Sequence, residues 1–437
     1  MPQQKQVDEK AAAAAWDTVL DEEKGPAAIV IRERLRPAAG LDFPVAPPTF
    51  AGRGQGDSDY NCDGEDPRSW ENVLKAKAEG RVANRCALDS IPSQANRMES
   101  MLKRFEGRYI PKVTLTGSKQ GEMSLLDVGH RVADAALWSA DGYADFQTAL
   151  EAYVKGDALP LAKIAPTSLV FGYWDSRGTT GGKARRLIRG EIFAENVVKL
   201  SRRSQYWASV DPEASEDLKK ALDEARAKAK GDKEKDVGSQ LGFRDAPASG
   251  LGGVIAHGDI VRLTILSLTG LRNLIARAET PAGDGTKEKV KKDGDVDDTT
   301  KLRRYLFALM LASASTPRGG WDLREGCLLV QHRRKTQDGT KEIEVPDVEA
   351  KSVFHDGRED PWSLPATPEI EAYLSATARG FFGEPFPAER KPTFNAKSAA
   401  DRVREKLQEK EKPAAAQAGA EGSQTKRRGK RAARSDT

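Results

Sequence analysis

The chain has 437 residues, of which 38% are hydrophobic and 31% charged, and its net charge is +4. This length and composition predict a globular protein of two or three domains that carries some solvated inserts. Because the net charge is small, any surface for an anionic partner must be local. A membrane span needs about 18 consecutive apolar residues, and no run in the chain approaches that length. The N-terminus shows no signal-peptide pattern. We therefore expect a cytoplasmic protein with no membrane partner.

Cysteine and histidine spacing argues against a metal site and against catalysis. The three cysteines, Cys62, Cys86 and Cys327, lie far apart, and neither a CxxC motif nor a zinc-finger spacing occurs. We therefore expect no disulfide framework, no metal and no cofactor. The four histidines are scattered without a nucleophile motif. His257, in a glycine-rich context, is the histidine that a metal-free ribonuclease would use, so it is the candidate to test.

The predicted elements are amphipathic helices and short strands in a mixed order. Helices are predicted over 5–23, 69–78, a segment capped by Ser93, 124–138, 143–154, 301–313, 367–380 and 396–411. Strand character is seen at the start of 27–35 and in 327–331 and 342–345, which we expect to pair, and an apolar run over 260–268 is expected to pass into a helix that ends near Ala278. Two charged inserts, 211–238 and 279–300, and a basic tail, 413–437, lack large apolar residues, and the tail is disordered by composition.

The most unusual segment runs from Thr167 to Trp207. An apolar run ending at Phe171 leads to an aromatic pair, Tyr173 and Trp174, and then to a Gly/Thr loop. From Arg177 to Arg203 there are eight basic residues against two acidic ones. Cations that grip phosphates, flat rings that stack on bases and glycines that allow a close backbone approach predict a nucleic-acid surface. A solvated basic face beside a core strand, with Trp174 buried, is the alternative.

The loop Gly178 to Ala184 does not form a nucleotide-binding P-loop. Only three residues separate Gly178 from the Gly-Lys pair where four are needed, and Ala184 provides no hydroxyl for magnesium. An NTPase is therefore not expected. Asp175 stands nearest to this loop, but the neighbouring Arg177 suggests a structural ion pair.

Four longer strings carry a resemblance to a known family. They read SQANRME (93–99), HRVADAALWS (130–139), TSLVFGYWDSRGTTGGKARRLIRGEI (167–192) and GLGGVIAHGDIVRLTILSLTGLRNL (250–274). In this order they resemble the RAMP-type backbone ("Cas-seven" type) subunit of the type I-G (formerly I-U) CRISPR Cascade complex, over about residues 80–330. The inserts and the tail lie outside the resemblance.

The resemblance implies an α+β fold. Its core would be an RRM-like (ferredoxin-fold) RAMP domain with large helical and loop insertions, hand-shaped with a palm and a thumb. On this reading residues 1–80 are an N-terminal helix and loop region packed on the core. The palm spans 81–378, with inserts at about 211–238 and 279–300. A C-terminal helix follows over 379–412, before the disordered basic tail at 413–437.

The resemblance also implies a role and partners. The chain would bind CRISPR RNA (crRNA), assemble with further copies of itself into a helical filament, contact other Cascade subunits, and meet target DNA through the guide. It would be a scaffold without enzymatic activity; the alternative is a RAMP endoribonuclease that processes guide RNA or cleaves target RNA. The expected RNA-binding residues are Asn96, Arg97, Trp174, Arg177, Lys183, Arg185, Arg186, Arg189, Arg202 and Arg203.

Overall fold

A computed structural model describes residues 16–51, 58–118, 121–176, 180–206, 208–209, 215–228, 241–243, 246–277, 296–315, 321–338 and 341–411. The chain divides into two compact units, each made of three separated stretches. Unit 1 comprises 1–101, 186–273 and 307–374, and unit 2 comprises 102–185, 274–306 and 375–437. The predicted basic tail and residues 279–295 of the second insert lie outside the described residues.

Strands are the main elements of unit 1. In chain order the strands of the whole protein are β1 (Ala28–Pro37), β2 (Thr49–Ala51), β3 (Ser58–Tyr60), β4 (Cys62–Gly64), β5 (Asn84–Asp89), β6 (Thr114–Ser118), β7 (Gly121–Ser124), β8 (Ala140–Asp141), β9 (Tyr173–Trp174), β10 (Lys183–Ala184), β11 (Ile188–Glu195), β12 (Val197–Tyr206), β13 (Ala246–Ala256), β14 (Ile260–Ser267), β15 (Trp321–Arg324), β16 (Cys327–Gln331), β17 (Arg333–Asp338), β18 (Lys341–Pro346), β19 (Val348–Val353), β20 (Glu359–Pro361) and β21 (Thr393–Phe394).

Helices are found in both units. After a short helical stretch at 16–20, they are α1 (Trp70–Ala78), α2 (Ile91–Leu102), α3 (Ala135–Trp138), α4 (Ala144–Val154), α5 (Leu159–Ile164), α6 (Pro166–Val170), α7 (Glu216–Lys228), α8 (Leu268–Arg272), α9 (Asp298–Ala314), α10 (Thr367–Phe382) and α11 (Ala396–Glu411). The predicted α+β class is thereby confirmed.

The centre of unit 1 is a nine-stranded antiparallel sheet. Its strand order is β15-β16-β1-β14-β11-β5-β4, and β19 pairs with β1 and with β20. Along β1 the side chains alternate between buried and partly exposed, as expected of a strand with one covered face. Ile29, Ile31 and Leu35 point into the core, whereas Arg32 and Arg34 lie on the other face.

A buried ion pair lies within the covered face of this sheet. Glu33 on β1 is directly opposite Arg262 on β14, both are 1% exposed, and Arg262 Nη1 donates to Glu33 Oε2 at 2.5 Å. Arg262 also donates to Gln94 Oε1 on α2 at 3.2 Å and to the Ala314 carbonyl of α9 at 3.1 Å. These bonds connect both helices to the sheet and leave neither charge without a partner in the core.

A long two-stranded ribbon, β12 with β13, continues from the end of β11. Asn196 forms the corner between β11 and β12, and its φ of +51° is left-handed. Its side chain accepts a hydrogen bond from the Ala83 backbone N–H (2.7 Å) and donates to the Arg81 carbonyl (3.2 Å). Asn84 in turn donates to the Val197 carbonyl and accepts from its N–H. The base of the ribbon is therefore fixed to the segment that precedes β5 and to β5 itself.

Unit 2 combines a small sheet with packed helices. Its four strands have the order β7-β6-β21-β8, and α4, α5 and α6 follow one another in sequence. Phe146 of α4, Leu161 of α5 and Leu169 of α6 are buried in its core. Tyr305 stacks on Phe381 at 5.0 Å between ring centroids.

Several predicted elements differ from the observed ones. The segment 124–138 is not one helix but two 3₁₀ turns followed by α3, because Arg131 has a left-handed φ of +54°. Helix α2 begins at Ile91 and its first turn is capped by Ser90, whose Oγ accepts from the Ser93 N–H, so Ser93 is not the cap. The run ending in Val170 is helical.

The predicted strand pair also has different partners. Residues 327–331 and 342–345 are both strands, but β16 pairs with β15 and β1, whereas β18 pairs with β17. The helices predicted at 143–154, 301–313, 367–380 and 396–411 are confirmed within a few residues.

Candidate nucleic-acid interface

The aromatic pair lies on a short hairpin of unit 2. Strands β9 and β10 are antiparallel, with Trp174 opposite Lys183 and Tyr173 opposite Ala184. Because side chains alternate along a strand, Tyr173 and Ala184 share the buried face and Trp174 and Lys183 share the other. Trp174 is 68% exposed and Lys183 is exposed, so a flat ring and a cation stand side by side in solvent. The alternative of a buried Trp174 is wrong.

The loop between these strands is closed by Asp175. This side chain is 1% exposed, and its Oδ2 accepts from the Thr180 N–H at 3.1 Å and from the Thr180 hydroxyl at 2.5 Å. The Asp175 N–H donates to the Gly182 carbonyl at 2.8 Å. Asp175 is thus a structural residue of the turn. The predicted ion pair with Arg177 lies outside the described residues, as do Gly178 and Thr179.

Gly182 is closely packed where the hairpin returns. A Cβ added there would lie 2.7 Å from Val154 Cγ2 and 3.2 Å from the Tyr173 hydroxyl, so a larger residue would require the exposed Val154 side chain to move. Burial raises the pKa of Tyr173, and no described residue accepts or donates a hydrogen bond at its hydroxyl. The ring of Tyr153 contacts the Tyr173 ring edge-on at 5.8 Å. The buried face of the hairpin is therefore packed against α4.

Arg131 stabilises the start of the hairpin. It was not among the predicted site residues. Its buried guanidinium donates from Nη1 to the Gly172 carbonyl at 3.1 Å and lies 5.4 Å from the centre of the Phe171 ring. Gly172 immediately precedes β9, so Arg131 positions the strand that carries Trp174. The signal was present in the string HRVADAALWS, but nothing in a sequence shows which arginine is buried.

The remaining predicted cations follow the hairpin. Arg185 is an exposed residue of unit 2, and Arg186 is an exposed residue of unit 1. Arg189 on β11 is exposed and pairs with Glu191 at 3.1 Å. An exposed pair of this kind contributes only about 0–1 kcal/mol, so exchanging the Glu191 carboxylate for a phosphate costs little.

The two residues predicted on α2 differ in their surroundings. Asn96 is exposed. Arg97 donates from Nε to the buried Asp89 carboxylate at 3.1 Å and from Nη2 to the Leu323 carbonyl at 2.8 Å. Its guanidinium therefore joins α2 to β5 and β15, and only its outer part reaches solvent.

The second cationic group lies on the ribbon of unit 1. Arg202 on β12 is exposed and is opposite Gly250 of β13. Arg203 is part of the same strand, but its side chain lies outside the described residues. Near the base of the ribbon Lys199 pairs with Asp59, and the Gly253 N–H donates to the Tyr60 hydroxyl at 2.9 Å.

A further set of cations on the uncovered face of the sheet was missed. Arg32 and Arg85 both contact the Glu195 carboxylate, at 3.4 and 3.1 Å, and Arg85 lies 5.2 Å from the centre of the Phe193 ring. Arg34 pairs with Asp259 at 2.7 Å. The alternation in IRERLRP was the available signal, because arginine at every second position places all of them on one face.

His257 lines a cleft of about 330 Å³ in unit 1, together with Arg34, Lys77 and His332. Burial and the nearby Lys77 lower the pKa of His257, and its Nε2 has no hydrogen-bond partner among the described residues. Trp70 contacts the imidazole ring at 5.3 Å. His332 is held by Asp347 at 3.3 Å. Within the described part of the chain, no group of three or more His, Cys, Asp and Glu side chains is arranged to hold a metal ion.

No helix among the described residues has the length and apolar character needed to cross a membrane.

Comparison with known proteins shows a match to a family model. Residues 29–199 are similar to the family described as CRISPR-associated protein GSU0053. This stretch contains three of the four strings noted above, the hairpin, and strands β1, β5 and β11; the string at 250–274 lies beyond it. No curated protein matches the chain. The predicted resemblance to a CRISPR-associated family is thus confirmed at that level.

Proposed function

We propose that this chain is the crRNA-binding backbone subunit of a type I CRISPR surveillance complex, acting in antiviral defence in the cytoplasm. The carrying observation is the exposed Trp174 beside Lys183 on a braced hairpin, inside the segment that is similar to a CRISPR-associated family. The subunit oligomerises along the guide and presents it for pairing with target DNA. It has no catalytic activity and requires no metal or cofactor.

The chemistry of the hairpin suits single-stranded RNA. Aromatic rings stack on bases of any sequence, and a cation beside the ring neutralises the adjoining phosphate. Such a grip reads the backbone and the base faces but not the base edges, which leaves the edges free for pairing. Asp175 and Arg131, through their internal hydrogen bonds, hold the hairpin in place before RNA arrives. A pre-organised grip loses less conformational entropy on binding.

In this proposal the palm is the sheet of unit 1, with an RRM-like core of β1, β11, β14 and β19, in the sheet order β19-β1-β14-β11, covered on one face by α2 and α9. Antiparallel strands with two helices on one face support this reading. The thumb is the ribbon β12-β13, because it leaves the sheet at a fixed corner and carries its own cations.

Unit 1 contributes its own RNA contacts in this scheme. Arg186 and Arg189 follow the hairpin in sequence, Asn96 is exposed on α2, and Arg202 and Arg203 lie on the ribbon. Arg97 has a mainly positioning role, since Asp89 and two carbonyl groups occupy its guanidinium. Arg177 is included from its place in the loop sequence.

Further partners follow from the scaffold role. Copies of the chain stack head to tail on one guide, and a repeated heterologous contact of this kind generates an open helix. Other Cascade subunits cap the filament. Target DNA is met through base pairing with the guide.

Charge reversal tests the proposal. Changing Lys183, Arg185 and Arg186 to Glu should reduce affinity for guide-length single-stranded RNA by on the order of 100-fold, because three phosphate contacts become repulsive. Fluorescence anisotropy with labelled RNA measures this, and circular dichroism checks that the variant is folded. The matched control reverses Lys391, Lys397 and Arg404, which are exposed residues of unit 2 outside the basic segment.

Two outcomes would contradict the proposal. Equal loss of affinity in both variants would show a general charge effect, and wild-type affinity in the first would remove the hairpin from the interface. The wild-type protein should also leave the bound RNA intact. Discrete cleavage products, lost on changing His257 to Ala, would favour the RAMP endoribonuclease, which would process guide RNA or cleave target RNA with His257 in its cleft.

A further inference from the structure

The three cysteines, distant in sequence, come together in unit 1. Cys86 and Cys327 are completely buried in the same hydrophobic cluster, and the half-buried Cys62 packs against it. All three are free thiols.

The sheet places Cys62 and Cys86 directly opposite each other. They are partners in the antiparallel pairing of β4 with β5. On either side, the Ala87 N–H donates to the Asn61 carbonyl at 2.9 Å and the Glu65 N–H donates to the Ala83 carbonyl at 3.0 Å. Hydrogen-bonded and non-hydrogen-bonded pairs alternate along such a ladder, so the cysteines form a non-hydrogen-bonded pair. In these pairs the Cα atoms are about 4.5 Å apart and the side chains are closest, within the range that a disulfide spans.

The two thiols differ in reactivity. They are close enough to hydrogen bond, and this contact lowers the pKa of Cys62 and raises that of Cys86. Lys199 also favours the Cys62 thiolate, whereas Asp59 and Asp63 oppose it. Cys62 is half-buried whereas Cys86 is buried, so an oxidant reaches Cys62 first.

We propose that Cys62 and Cys86 are an oxidative modification site, at which a small disulfide such as oxidised glutathione converts the two thiols into a cross-strand disulfide. The Cys62 thiolate attacks one sulfur of the oxidant and releases one thiolate. Cys86 then loses its proton and attacks Cys62 Sγ of the mixed disulfide, releasing the second thiol. Two protein thiols are oxidised while one small disulfide is reduced to two thiols.

The cross-link joins an edge strand to the sheet. Just before β4, Tyr60 contacts Gly253 and Asp59 pairs with Lys199, and both contacts hold the base of the ribbon. Oxidation therefore ties the segment that supports the ribbon to β5. This inference concerns the thiols alone and does not depend on RNA binding.

Counting free thiols after oxidation of the native protein tests the site. The full-length protein is equilibrated in glutathione redox buffers, quenched with acid, denatured and alkylated with N-ethylmaleimide. Intact mass should show three adducts in the reduced protein and one in the oxidised protein, since the chain has three cysteines. Peptide mapping should then join the Cys62 and Cys86 peptides and leave the single adduct on Cys327.

Single substitutions provide the controls. Cys327→Ser should retain the cross-link, whereas Cys62→Ser and Cys86→Ser should abolish it, with circular dichroism confirming that each variant is folded. Three adducts persisting in a buffer that fully oxidises dithiothreitol would overturn the proposal. So would a stable glutathione adduct on Cys62 or a cross-link that requires Cys327.

Discussion

Tyr173 and Trp174 are adjacent in the chain and have opposite surroundings. Tyr173 contacts Tyr153 and Gly182 in the core of unit 2, and burial raises its hydroxyl pKa. Trp174 extends into solvent beside Lys183. An exposed tryptophan side chain contributes little to folding stability. A ligand that covers its ring would bury a large apolar surface, so the side chain can contribute to binding.

Replacing Trp174 should therefore affect binding but not folding. Trp174→Ala should weaken single-stranded RNA binding by about 1–3 kcal/mol, or roughly 5- to 150-fold, through loss of one stacked base. Trp174→Phe should recover most of the affinity because it keeps a flat ring. Fluorescence anisotropy gives the affinities, and urea unfolding should agree with the wild type within about 0.5 kcal/mol.

The control for this substitution is Trp70→Ala, since Trp70 is another exposed tryptophan and lies outside the basic segment. Loss of affinity in Trp70→Ala equal to that in Trp174→Ala would remove the special role of the hairpin. Unchanged binding in Trp174→Ala would remove stacking from the proposed grip.

At the scale of elements, the hairpin and the ribbon both depend on residues that belong to other segments. Arg131 holds the start of β9, and Asn84 and Asn196 hold the start of β12. Arg131 and Asn196 also have left-handed φ values, which cost free energy for a residue with a Cβ atom. The strain is offset by hydrogen bonds to backbone groups that would otherwise be unpaired.

Substitutions at Asn196 should separate the strain from the hydrogen bonds. Both Asn196→Gly and Asn196→Ala leave the Ala83 N–H without its acceptor, which should cost about 1–3 kcal/mol of unfolding free energy. Ala should cost about 1 kcal/mol more than Gly because φ stays near +51°. Urea denaturation measures both; equal stabilities would show that the corner relaxes to an unstrained conformation.

Local sequence signals predicted the elements whose causes are local. The helices predicted over 69–78, 143–154 and 301–313 are found as α1, α4 and α9, and Ser69 caps α1. The failures have non-local causes. A helix over 124–138 is broken by a φ at Arg131 that tertiary hydrogen bonds impose, and β16 pairs with β1, nearly three hundred residues away in sequence. The cations of the basic segment were identified from the sequence. The exposure of Trp174 could not be predicted, because it depends on the pairing of β9 with β10.

At the scale of the whole molecule, the net charge of +4 is the small difference between 70 basic and 66 acidic residues. Many of the described cations are paired, such as Arg34 with Asp259 and Arg85 with Glu195. The long-range attraction for an anionic partner is therefore weak, and the proposed RNA binding must depend on a few local contacts.

The salt dependence of RNA affinity should report the number of phosphate contacts. RNA affinity should fall linearly on a log-log plot against salt, with a slope of about −0.7 for each phosphate neutralised, and should vary little with RNA sequence. The double change of Lys183 and Arg185 to Gln should reduce the steepness of that slope by about 1.4. Titrations from low to moderate salt measure it. A flat dependence, or an unchanged slope in the variant, would contradict a phosphate grip at the hairpin.

The ion pair of Glu33 with Arg262 has one further consequence, which concerns errors in strand pairing. A slip of β1 by one residue against β14 would turn Arg32 and Arg34 toward the core and separate Glu33 from Arg262. An unpaired buried charge costs about 3–5 kcal/mol, and a slip would create several, while a folded domain has only about 5–15 kcal/mol of stability. A purely apolar pair at this position would tolerate alternative alignments more readily. The ion pair therefore enforces the correct register of β1 against β14, because a chain with these strands misaligned would lose most or all of its folding stability.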